Sequence, residues 1–419
     1  MAMKNEVFIL GSGFSKELFS GMPLLNELTV KITDTIDKDN SIFNNIYKNY
    51  IKNINILNFE DILTYLYQEF PWKSEKDYHL LYSLYVHISE LLVKVFRDIQ
   101  SGIDYKTLLN RSYISNFLLY LHHTQTTVIS LNYDTLLEEV SKRFLRPFKY
   151  IESSERGRNF RYLKEITYLV DTEQKQTSSS SKIKYILDKE NKKIEIYFYD
   201  YSITEEEFNA QLSSIKEDDI KADLENAYRI FTDNLAKPYI DYLDLYPIPI
   251  QLLPARTTTL FAHDLQDTFK LFKLHGSINW YYSGSKTQEA EQIYLVGSTK
   301  ISEEEDKNLK DLVPVIIPPV LDKTGFFKQN TIRSQWNEAK NFLRKADRVY
   351  IIGYSIPPTD LTVKFMLQSF INKESEVFII NKDEGNKKYF KEIFNKCNDK
   401  YIKKDGQVFE SFVKEILSL

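Results

Sequence analysis

The sequence predicts an α/β protein: a mostly parallel β-sheet with helices on both faces, carrying a helical insertion and a second insertion that contains a β-hairpin. Three observations carry that prediction. The opening Glu6-Val7-Phe8-Ile9-Leu10 is a continuous apolar run of buried-strand type, and Gly11-Ser12-Gly13 breaks it at once. Further apolar, β-branched runs follow at Thr126 to Leu131, Phe269 to Leu274, Leu312 to Ile317, Arg348 to Ile352 and Glu376 to Ile380, with helical text between most of them. Two long stretches, by contrast, do not fit that alternation.

The first of these stretches is helical. Asn58-Phe59-Glu60-Asp61-Ile62-Leu63 begins one amphipathic helix, and Tyr78 to Ile99 has the length and the i, i+3, i+4 apolar spacing of another. A further helix is expected from Thr135 to about Phe144. The second stretch holds a polar Ser178-to-Ser181 tract, then strand-like runs Lys184 to Leu187 and Lys193 to Tyr201 around a polar turn, which read as a hairpin. These patterns divide the chain into a core (1–35, 111–150 and 263–419), a helical insertion (36–110) and an insertion with hairpin and helices (151–262). Tyr185, Tyr197, Phe198, Tyr199 and Tyr201 make the hairpin a candidate contact for assembly or for a partner, unless the rings pack down on the core.

Composition narrows the class. The chain of 419 residues is 42% hydrophobic and 27% charged, and its 55 basic and 59 acidic side chains leave a formal charge of −4. That balance offers no overall field for nucleic acid or an anionic membrane. No apolar stretch approaches the roughly 20 residues of a membrane span, and the text opens without a signal-peptide pattern, so a cytoplasmic protein is expected. Cys397 is the sole cysteine, which excludes a disulfide framework and a multi-thiolate zinc site. The six histidines include no pair at zinc-ligand spacing, so no metal is expected.

The candidate chemistry sits at strand ends, where open α/β sheets bind ligands. After the first strand, Gly11-Ser12-Gly13-Phe14-Ser15 permits a tight turn whose amides can face a diphosphate, although Lys16 stands where a G-x-G-x-x-G pattern needs glycine. After the second, Asn132-Tyr133-Asp134 offers a carboxamide and a carboxylate. Either can equally cap the helix that begins at Leu136. His275-Gly276 ends the next run and places a residue able to relay a proton near neutral pH beside a glycine, or merely ties down a loop. Gly353-Tyr354-Ser355-Ile356-Pro357-Pro358 and Asn381-Lys382-Asp383 follow the last two runs. His122 and His123 end a helical run and read as an ordinary polar helix end.

Taken in order, G-S-G-F-S, N-Y-D, L-H-G-S, G-Y-S-I-P-P and I-I-N-K resemble the sirtuin superfamily, and within it the zinc-free sirtuin-like domains of bacterial antiphage systems. The motifs span residues 7 to 383, and the stretch 151–262 has no counterpart among them. The resemblance implies a Rossmann-like core that binds NAD. It assigns Gly11, Ser12, Gly13, Phe14 and Ser15 to the NAD phosphates, Gly353 and Ser355 to the adenosine half, and Asn381 to its ribose. It assigns Asn132, Asp134 and His275 to catalysis: Asp134 as negative charge, Asn132 orienting ribose or water, His275 accepting a proton. Leu131 stands where deacylating members carry glutamine, and one cysteine cannot replace their four zinc ligands. The activity implied is therefore NAD+ hydrolysis to ADP-ribose and nicotinamide, as an effector of defence by NAD depletion. A zinc-less deacylase or ADP-ribosyltransferase and a non-catalytic NAD or ADP-ribose sensor are the alternatives. The resemblance further implies a homo-oligomer with a separate partner chain, a HerA-like ATPase in preference to a short Argonaute.

Overall fold

The computed structural model describes residues 5–39, 41–54, 58–145, 268–283, 311–318, 329–357, 359–403 and 407–417, with short pieces between 146 and 328. Its centre is a six-stranded, all-parallel sheet. The strands are β1 (Glu6–Leu10), β2 (Thr127–Ser130), β3 (Lys270–Lys273), β6 (Arg348–Ile352), β7 (Glu376–Asn381) and β8 (Cys397–Ile402). Between them in the chain lie β4 (Gly276–Tyr282) and β5 (Val313–Ile316), which belong elsewhere.

The spatial order is β3-β2-β1-β6-β7-β8. Counting only this sheet's strands, that is 3-2-1-4-5-6, the order of doubly wound dinucleotide-binding sheets. The predicted fold class is what the chain adopts. The winding reverses between β1 and β6, whose pairing runs from Glu6 opposite Arg348 to Leu10 opposite Ile352. The loops that leave these two strands therefore diverge at one edge and open a crevice there.

The strands read as unbroken apolar runs because both faces are buried. Phe8 and Leu10 pack on one side with Tyr350, Phe378, Phe117, Phe409 and Phe412. Val7 and Ile9 pack on the other with Ile129, Phe272, Leu343, Val363 and Leu367. The first side is covered by α7 (Ser112–Thr124) and α12 (Val408–Ile416), the second by α9 (Asn330–Lys345) and α10 (Leu361–Phe370). The remaining described helices of eight or more residues are α2 (Leu25–Lys38), α3 (Ile42–Tyr50), α4 (Phe59–Tyr67), α5 (Glu75–Ser101) and α8 (Leu136–Phe144). The long α5 starts at a capping box: the Ser74 hydroxyl accepts from the Asp77 amide and the Asp77 carboxylate accepts from the Ser74 amide. None of the described helices is long and apolar enough to cross a membrane.

Three features differ from the sequence expectation. β5 does not join the main sheet: it pairs antiparallel with β4 in a second sheet completed by the short strands Tyr294–Leu295 and Gln251–Leu252. β4 was not among the expected strands, but every residue of it is buried and the chain turns straight back into strand after His275. β8 escapes pattern reading because Cys397-Asn398-Asp399-Lys400 is an edge strand, polar and partly exposed until Tyr401. The expected hairpin is present as Ile183–Asp188 paired with Lys193–Phe198. The side chains offered there as a partner contact lie outside the described residues.

Candidate functional site

The crevice at the carboxyl edge is built first from glycine. Gly353 has φ +64°, and a Cβ on it would lie 2.2 Å from the Phe14 amide nitrogen and 2.5 Å from the Gly13 carbonyl carbon. Only a residue without a side chain lets the loops after β1 and β6 touch so closely. The Gly13 amide then donates to the Gly353 carbonyl at 2.9 Å, the Gly11 amide to Ile352 at 2.9 Å and the Phe14 amide to Gly11 at 2.9 Å. Three N–H groups of the first loop are thus bonded within the protein. Gly353→Ala is expected to destabilise the fold by about 1–3 kcal/mol from backbone strain alone, with the steric conflict added. A chemical denaturation midpoint equal to the parent's would contradict this account of the loop contact.

Ser15, Asn132 and Asp134 form a buried polar knot beneath that contact. The Ser15 hydroxyl lies 2.8 and 3.0 Å from the two Asp134 carboxylate oxygens. The Asn132 amide nitrogen donates to the Gly11 carbonyl at 2.9 Å and to the Ser15 oxygen at 3.0 Å. Asn132 thus ties the second loop to the first through its side-chain nitrogen, and it is one of the residues that line the cleft. Asp134 fills both roles weighed for it: it lines the cleft and accepts the Leu136 amide at 3.0 Å at the start of α8. Burial pushes its carboxyl above the usual range, opposed by the neighbouring Lys273 charge and these hydrogen bonds.

Behind the knot is an ion pair removed from water. Lys273 at the end of β3 is fully buried, and its ammonium lies 2.9 Å from the Glu138 carboxylate of α8, which is 2% exposed. The same ammonium donates to the Asp134 backbone carbonyl, and the Tyr246 hydroxyl donates to Glu138 at 2.9 Å.

His275 sits in the turn between β3 and β4. The turn is possible because Gly276 takes φ +78° with the Val315 carbonyl only 2.0 Å from where a Cβ would be. The His275 Nε2 is 3.2 Å from an Asp360 carboxylate oxygen, with the two side chains 4% and 1% exposed. The Tyr354 hydroxyl donates to that same oxygen at 2.8 Å.

The cleft is lined by Gly11, Ser12, Asn132, Asp134, His275, Gly353 and Ser355 among the sequence candidates, together with Tyr133, Tyr354, Pro357, Asp360, Leu28, Glu60 and Phe96. Four candidates are placed elsewhere. Phe14 is 2% exposed and packs its ring against Phe117 and Phe409, so its side chain belongs to the core. Gly13 and Ser15 lie behind the lining, holding the loops. Asn381 donates to the Tyr354 carbonyl at 3.2 Å and braces the loop after β6. His122 is buried, with Nδ1 at 2.8 Å from the Thr268 hydroxyl, and serves the helix end. The His123 side chain lies outside the described residues.

Two acidic cleft residues were not singled out from sequence. Asp360 reads locally as the N-cap of α10, which it also is. Glu60 reads as an acidic residue in the first turn of α4, a common helix start. Nothing local distinguishes either from an ordinary cap.

No family model and no curated protein matches the sequence. Among solved structures, the chain is similar to one described as the structural basis for sirtuin substrate affinity, at 16% identity over 36% of this chain and 57% of that one, TM-score 0.22. It is similar also to Sir2Tm bound to a propionylated peptide, at 16% identity, 36% and 56% coverage and TM-score 0.22. A third is Sir2 in complex with the inhibitor EX-527, 2′-O-acetyl-ADP-ribose and a deacetylated p53 peptide, at 18% identity, 36% and 57% coverage and TM-score 0.22. The chain spans just over half the length of these sirtuins. Fold and site together define a doubly wound, Rossmann-like α/β protein with a cleft, lined by apolar, polar and charged side chains, at its topological switch point.

Among the described residues no three His, Cys, Asp or Glu side chains are grouped to hold a metal. The purified protein is expected to carry no stoichiometric zinc, and elemental analysis finding one zinc per chain would overturn this.

Proposed function

We propose that this protein is an NAD+ hydrolase that breaks the nicotinamide–ribose bond. The observation that carries the reading is the convergence of Asn132 and Asp134, from the end of β2, and His275, from the end of β3, on one cleft beside the Gly11–Gly353 contact. A switch-point crevice in a sheet of this order suits a dinucleotide. The cleft encloses about 150 Å³. That is below the roughly 300–1,000 Å³ of sites that enclose drug-sized ligands, so in this reading it takes the nicotinamide–ribose end and leaves the rest along the loops.

The reaction consumes NAD+ and water and gives ADP-ribose, nicotinamide and a proton. As the C1′–N bond breaks, its electron pair stays with nicotinamide, which leaves neutral, and positive charge develops on the ribose. The carboxylates of the cleft stabilise that charge. The Asn132 carbonyl orients the ribose or the attacking water, and His275 accepts the proton as the new C1′–O bond forms. The chain's role as a defence effector, its assembly into a homo-oligomer, its cytoplasmic location and its partnership with a HerA-like ATPase belong to the same proposal and rest on the motif resemblance.

Incubating the purified protein with NAD+ and no other protein tests the reading. Release of nicotinamide with equimolar ADP-ribose supports it. Nicotinamide release only when a protein acceptor is added points to a deacylase or ADP-ribosyltransferase, and tight binding without turnover, in the presence of the activating partner, points to a sensor.

A further inference from the structure

We propose that Asp360 is the positioning residue that makes His275 a directed proton acceptor, an inference that rests on the hydrolase reading of the cleft. The two side chains come from opposite halves of the sheet, His275 following β3 and Asp360 preceding α10, and meet at 3.2 Å where both are almost wholly buried. Capping α10 does not account for this. The cap uses the other carboxylate oxygen, Oδ1, which accepts the Val363 amide at a long 3.5 Å. Oδ2 meets both the His275 Nε2 and the Tyr354 hydroxyl, the latter at 2.8 Å.

The arrangement has a chemical consequence. With Nε2–H donated to a carboxylate, the neutral ring carries its lone pair on Nδ1, and the imidazolium formed by accepting a proton is stabilised by the adjacent negative charge. Burial and the Asp360 charge both hold the Tyr354 hydroxyl in its neutral form, so it remains a donor and keeps Asp360 an acceptor. Other groups lie near the ring. The Tyr133 ring lies with its centroid 6.3 Å from that of His275. Glu60 from α4 and Asp134 from the loop after β2 also line the cleft, but Asp134 is held by Ser15 and the Leu136 amide. Lys273, two positions before the histidine, is directed to Glu138 and the Asp134 carbonyl.

The test is Asp360→Asn in the full chain, read in two ways. NMR titration of labelled histidine, with the His275 signal identified by its loss in His275→Gln, reports the pairing without any need for turnover. It is expected to move down by about one pH unit or more when the carboxylate is removed. Nicotinamide release is expected to fall about 100-fold in kcat with little change in KM, and its acid limb to shift downward with the titration. A folded Asp360→Asn protein with an unmoved His275 titration overturns the proposal. If that variant does not fold, Tyr354→Phe serves instead: it leaves Asp360 to the histidine alone, so the His275 titration should rise, and no change overturns the proposal equally. Should the parent cleave no NAD+ at all, the hydrolase reading fails while the titration still decides the pairing.

Discussion

Replacing His275 with alanine is expected to lower NAD+ cleavage by about a hundredfold or more, since a positioned proton acceptor contributes that much to a reaction in which water must be deprotonated. Asn132→Ala should fall as far, because the same substitution removes the side chain proposed to orient ribose or water and the amide nitrogen that ties Gly11 and Ser15 in place. Substitutions of His275 differ in their effect on stability. His275→Ala withdraws one partner from a buried carboxylate and should cost about 1–3 kcal/mol. His275→Gln keeps a donor within reach of Asp360 and should retain most of that stability while remaining inactive. Turnover is to be measured below the unfolding transition of each variant. Near-parental kcat in either alanine variant would remove the assigned role.

The second large effect falls on stability. Lys273→Met is expected to destabilise the protein by about 3–5 kcal/mol, because it strands the Glu138 carboxylate, 2% exposed, with a tyrosine hydroxyl as its principal remaining donor. The Asp134 backbone carbonyl loses its ammonium donor at the same time. The double variant Lys273→Met/Glu138→Leu should recover much of the loss, since a buried ion pair is often replaceable by apolar groups of similar size while a lone buried charge is not. Denaturant titration of the parent, both single variants and the double variant closes the cycle. A single-variant loss below about 1 kcal/mol, or a double variant no better than the worse single one, would show that the pair does not behave as an isolated buried charge couple.

Sequence alone identified the elements whose signal is local. β1, β2, β3, β6 and β7 are apolar runs because both faces of the sheet are covered, and that doubly buried pattern is visible one strand at a time. The amphipathic α4 and α5 were likewise visible from their periodicity and caps. β8 was not, because an edge strand need not be apolar, and β4 was hidden by the glycine turn that precedes it.

For the site, the residue types and their positions at strand ends were legible: Gly11, Asn132, Asp134, His275 and Gly353 stand where chain leaves sheet. Their division of labour was not. Phe14 and Ser15 are neighbours in one motif, yet one ring joins the aromatic core while the other side chain holds Asp134, because adjacent residues at a helix start face different directions. The pairing of β1 with β6 brings Gly353 against Gly13, and packing alone turns Asp360 from a helix cap into the partner of His275. Local pattern determined the five apolar strands of the main sheet and where the chain leaves them. Which turns would meet, which carboxylate would face the histidine and which lysine would be sealed from water depended on contacts between distant segments. Those contacts form only when the two faces of the sheet are buried together.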